Sequence, residues 1–118
     1  MLSAINSNTS FNGTLSEKAI KMAENTLGQE GYKLAKKFRA GKNKFDKISI
    51  KYETTPATLS YGKQYLKTDT YMEVANSKSK QPPFMVCIAK DVKLPFGQKM
   101  LDLITEKMAF IDKLRKQK

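Results

Sequence analysis

The spacing of apolar residues changes twice along this chain, from helical to alternating and back to helical, and that order limits the possible folds more than any other feature. Leu15, Ala19, Ile20, Ala23, Leu27, Gly31, Leu34, Ala35 and Phe38 recur at helical spacing, which predicts a helix over residues 15 to 40. Thr14 with Glu17 three residues on has capping-box spacing, and Ser16 is a rival cap. Gly28 and Gly31 each weaken a helix interior by about 1 kcal/mol, so a kink there is an alternative to a straight helix. Gly41 follows the last periodic residue and suits a left-handed cap.

From Phe45 the period is two. Ile48, Ile50 and Tyr52 fall on one side and Lys47, Ser49 and Lys51 on the other, the pattern of a half-buried strand that Thr54-Thr55-Pro56 is expected to end. The stretch from Ala57 to Ala75 is rich in Thr and Tyr and too long for one ordinary strand, so a split near Lys67 to Thr70 is expected. Phe84 to Ala89 is apolar at every position, which predicts a central strand buried on both faces. Met100, Leu101, Ile104, Met108, Ile111 and Leu114 then form the stripe of an amphipathic helix from Gln98 to about Arg115. The order implies an α+β fold: an N-terminal helix, a three- to four-stranded antiparallel meander and a C-terminal amphipathic helix packed on the sheet.

With 118 residues the chain has the size of one domain. Residues 1–13 lack periodicity and are expected to be a flexible leader, with 14–118 a single domain ending in a basic tail. The start has neither the basic end nor the apolar centre of a secretion signal. The longest apolar run, Pro82 to Ala89, is far short of the roughly 20 residues of a membrane-spanning helix. The single cysteine, Cys87, has no internal disulfide partner and is expected to be a buried thiol. These features predict a cytoplasmic protein without a transmembrane segment.

Catalytic inventories are thin. The chain has no histidine, which removes the usual general base near neutral pH and the common serine and cysteine triads. One cysteine and eleven scattered carboxylates give no zinc or calcium spacing. Gly41-Lys42 and Gly62-Lys63 lack the upstream glycine of a phosphate loop. Asp102 and Glu106, four apart on the final helix, read as a solvated helix face, and Asp69 and Glu73 have only their proximity. No catalytic residue, metal or cofactor is expected, a small-molecule ligand is left open, and the chain reads as a binding module rather than an enzyme.

The charge is what remains, and it is localised. Lys33, Lys36, Lys37, Arg39, Lys42, Lys44, Lys47 and Lys51 face Asp46 alone, a net +7. Lys107, Lys113, Arg115, Lys116 and Lys118 face Asp112 alone, a net +4. These two stretches account for the whole formal charge of +11, the rest of the chain being neutral. The first stretch, a helix end, a tight turn and a strand face, is the leading candidate for an anion-binding surface. A lysine-rich solvated surface is the alternative, since lysine outnumbers arginine 20 to 2. Secondary candidates are Lys113, Arg115 and Lys116 at the C-terminus and the alternation Tyr61, Lys63, Tyr65, Lys67, which could stack single-stranded bases or belong to the core edge. The expected roles are a protein-interaction or self-associating structural module, or a binder of nucleic acid or another polyanion.

Overall fold

The computed structural model describes residues 13–116 and contains a strand β1 (Thr14–Leu15), helix α1 (Glu17–Lys37), strands β2 (Asp46–Thr58), β3 (Gln64–Asn76) and β4 (Phe84–Ala89), and helix α2 (Gln98–Lys116). The α+β class and the order of elements are those read from periodicity. One four-stranded sheet has the order β1-β2-β3-β4. It is mixed rather than purely antiparallel: β2, β3 and β4 form the expected meander, and β1 lies parallel to β2. Two residues are too few to show a period, and the return of the chain through α1 dictates the parallel pairing.

Ser16 is the cap of α1, its hydroxyl accepting from the Ala19 backbone N–H at 3.2 Å. Gly28, at φ +68° and ψ −146°, breaks α1 into two segments, so the kink rather than the straight helix is present. The helix ends at Lys37, short of the expected residue 40, because Phe38 is extended and Ala40 N–H donates to the Gly13 carbonyl at 3.1 Å. Gly13, the last residue of the expected leader, is therefore buried and paired; residues 1–12 lie outside the described residues.

The strand boundaries differ most from expectation. β2 runs through Thr54-Thr55-Pro56 to Thr58, and β3 is one unbroken strand of 13 residues. The chain reverses at Leu59 to Lys63, where Leu59 N–H donates to Lys63 O. That bond fixes the hydrogen-bonding parity of the ribbon, so Pro56, opposite Leu66, falls on a non-hydrogen-bonded pair whose missing N–H breaks no rung. β4 is an edge strand, not a central one: it pairs with β3 alone, Phe84 and Met85 are exposed and Cys87 is half-buried. An unbroken apolar run has the same appearance in either place.

Cross-strand pairs Ile48/Val74 and Ile50/Met72/Val86 form the face that meets the helices. α1 packs against β1 and β2, and α2 against β4. Ala19, Ala23 and Ala35 from α1 and Met100, Leu101, Ile104, Met108 and Ile111 from α2 close one core over Ile48, Met72 and Val74. Each large buried side chain contributes about 1.5–3 kcal/mol. Lys47, Ser49, Lys51, Tyr71, Glu73, Met85 and Cys87 share the other face, where each is exposed or half-buried. No helix among the described residues is long and apolar enough to cross a membrane.

Candidate anion-binding cleft

Asp46, the first residue of β2, has a fully buried carboxylate. It accepts two N–H groups from Arg115 on α2, at 2.8 and 3.2 Å, and one from the Asn76 side chain at 3.0 Å. This bidentate pair ties the last turn of α2 to the start of β2 and the end of β3 across 69 residues of sequence. The neighbouring turn is drawn onto the same helix. Gly41 has φ +80°, a left-handed conformation that favours glycine, and it packs against the Met108 side chain. Asn43 shapes the next residues, its side-chain oxygen accepting from Phe45 N–H at 2.9 Å.

A cleft of about 530 Å³ opens between turn and helix end, lined by Lys42, Asn43, Lys44, Phe45, Asp112, Arg115 and Lys116. Lys44 Nζ and Lys78 Nζ stand 5.3 and 5.2 Å from the centre of the Phe45 ring, each within cation–π range. The Phe45 carbonyl accepts from Ser77 N–H at 3.2 Å, which holds the Lys78 loop beside the turn. Asp112 is the one acid in the lining; burial pushes its carboxyl pKa up, opposed by Arg115 and by a hydrogen bond from the Lys42 backbone N–H. With Arg115 engaged by Asp46, the other cationic residues of the lining, Lys42, Lys44 and Lys116, carry ammonium groups: point charges suited to phosphate or carboxylate oxygens rather than to planar recognition.

The two basic stretches therefore meet, but only in part. Of the leading candidates, Lys42 and Lys44 line the cleft; Lys33, Lys36 and Lys37 are exposed along the second segment of α1 and do not. Arg39 donates to the carbonyls of Lys36 and Phe38, both at 2.8 Å, and so caps the helix end. Lys47 and Lys51 lie on the opposite face of the sheet, Lys47 beside Thr14 and Lys51 paired with Glu73 at 3.4 Å. Among the secondary candidates Lys116 lines the cleft, Arg115 holds its wall and Lys113 is exposed.

The tyrosine alternation does not form one strand face. Tyr61, 76% exposed, and Lys63 sit in the hairpin turn, and only Tyr65 and Lys67 share a face of β3. Lys67 is engaged by Asp69 at 3.9 Å and Asp91 at 3.7 Å. The paired carboxylates are likewise occupied, Asp69 accepting from Asp91 N–H and Asp102 from Gln98. No three Cys, Asp or Glu side chains among the described residues stand together as metal ligands would. Phe45, Asn43 and Lys78 are site residues that periodicity could not find, because what unites them is a turn meeting a helix end. Compared with protein-family models, curated proteins and solved structures, the chain matches none.

Proposed function

We propose that this chain is a non-enzymatic nucleic-acid-binding protein that holds the phosphate backbone in the cleft between the Gly41–Phe45 turn and the end of α2. One observation carries the reading: Lys42 and Lys44 from one basic stretch and Lys116 from the other line a single cleft. Ammonium groups neutralise phosphates and release counterions, which gives affinity with little base preference. Lys78 beside Phe45 extends the cationic wall. A cytoplasmic setting belongs to the same proposal and rests on the lone cysteine. The test is fluorescence anisotropy with a labelled oligonucleotide over a salt series. Affinity should fall with a log–log slope of about −0.7 to −0.9 per phosphate contacted, and salt-independent binding, or none at low salt, would refute the proposal.

A second reading, a protein-interaction or self-associating module, is favoured by β4. This edge strand is six residues long, apolar throughout and without the lysine or proline that usually protects an edge. Its backbone could add a second copy of the chain or another extended partner. Solution mass decides it: a concentration-dependent dimer that Met85→Lys abolishes supports this reading, and a strict monomer at high concentration removes its support.

A further inference from the structure

The cationic cleft does not end at Arg115. It adjoins a groove of about 910 Å³ that shares Asn43 and Arg115 with it. Its apolar wall is Pro82, Pro83, Phe84 and Leu114, contributed by the loop before β4, the first residue of β4 and the last turns of α2. Phe84 and Leu114 are each 39% exposed, so an aromatic ring and an aliphatic side chain stand open to solvent together. The Arg115 guanidinium lies 5.5 Å from the Phe84 ring centre and is itself pinned by Asp46, which holds one side of the ring in place. Asn43, Ser79 and Gln81 are also in the lining, the Asn43 side-chain oxygen accepting from Phe45 N–H and the Ser79 hydroxyl from Gln81 N–H.

Resting on the proposed function, we infer that this groove receives an unpaired nucleobase, and that the ligand of the composite site is single-stranded rather than duplex nucleic acid. The chemistry is complementary on both sides of Arg115. A nucleotide joins an anionic phosphate to a flat ring with apolar faces and a polar rim. The ammonium groups of Lys42, Lys44 and Lys116 suit the first, and the Phe84 and Leu114 surface suits the faces. The amide groups suit the rim, whereas a purely aliphatic anchor would desolvate them without replacement. In a duplex the base faces are already stacked on one another, so only an unpaired base can use the groove while its backbone lies in the cleft.

The experiment compares three probes on the intact chain at one salt concentration: labelled oligothymidylate, a DNA duplex of the same length, and inorganic polyphosphate. The single strand should bind at least about tenfold more tightly than the duplex, as expected for the stacking of one base. Phe84→Ala should lower the ratio of single-strand to polyphosphate affinity about tenfold, and Phe84→Tyr, which keeps a ring, should restore it. Leu114→Gln gives a second reading of the same ratio should Phe84→Ala reduce folding, which thermal unfolding reports. Duplex binding as tight as single-strand binding, or a ratio that neither substitution changes, overturns the inference. An acidic peptide that displaces polyphosphate in a Phe84-dependent manner, with no single-strand preference, overturns it in favour of a protein ligand. These failures are separate from that of the proposed function: absence of binding to all three anions sinks both, whereas lysine-dependent polyphosphate binding without strand preference sinks only the groove.

Discussion

At the scale of single residues, the Asp46–Arg115 pair connects folding to the site. Removing Arg115 leaves a fully buried carboxylate with the Asn76 amide as its side-chain partner among the described residues, so Arg115→Ala should lower unfolding free energy by about 3–5 kcal/mol in urea titrations. Arg115→Lys should recover little of it, since an ammonium group cannot reproduce the two-pronged bond. Asp112 is the acid in the lining of the cleft. Its native pKa is raised by burial, so the folded chain binds a proton more readily than the unfolded chain. The stabilisation from that proton is complete below the ordinary carboxyl pKa of the unfolded chain and is lost as pH rises through the higher native value. Protonation also removes the cleft's acid, so oligonucleotide affinity should rise as pH falls through that window. Asp112→Asn should strengthen binding at neutral pH and flatten the pH profile over the same window; a profile identical to that of the parent would disconnect Asp112 from the site.

At the scale of elements, the helices were largely legible in the sequence and the strands less so. The apolar periods of Ala19, Ile20, Ala23, Leu34 and Ala35 and of Met100 to Ile111 reflect burial against one sheet, and burial is what spacing records; Leu15, read with the first period, belongs to β1, and Leu27, beside the Gly28 kink, is exposed. Strand ends follow from pairing partners, which spacing does not record: Pro56 is tolerated because its pair with Leu66 needs no N–H there, and the Phe84 to Ala89 run is silent about which edge it occupies. The outer part of the β2–β3 ribbon also reaches past the helices, with Leu66 73% exposed although it shares the parity of buried Met72 and Val74. Amide hydrogen exchange should therefore be fast for Thr54 to Leu66 and slow for Ile48 and Met72. Equal protection along both strands would place a covering element over the ribbon.

At the scale of the whole molecule, charge was legible as two basic stretches, but its distribution in space was not. Periodicity along one strand places Lys47 and Lys51 on the outward face, and there they lie, away from Lys42 and Lys44. The meeting of the Gly41–Phe45 turn with the end of α2 depends on contacts across the whole domain. Gly41, at positive φ and packed against Met108, lies in that turn. Gly41→Ala should cost about 1–3 kcal/mol in strain and weaken anion binding together with stability. A uniformly lysine-rich surface would bind polyanions weakly everywhere and would respond to total charge alone.

The most direct measurement sets two charge-matched double variants side by side in salt-dependent oligonucleotide binding. Lys42→Glu with Lys44→Glu reverses the cleft, and Lys33→Glu with Lys37→Glu reverses the same charge on exposed positions of α1 outside it. The cleft variant should lose most of the affinity and lower the magnitude of the log–log salt slope by about 1.4–1.8, the share of two phosphate contacts, while the α1 variant keeps the parent slope. Equal losses and equal slopes from the two variants would contradict the cleft and leave net charge as the whole explanation.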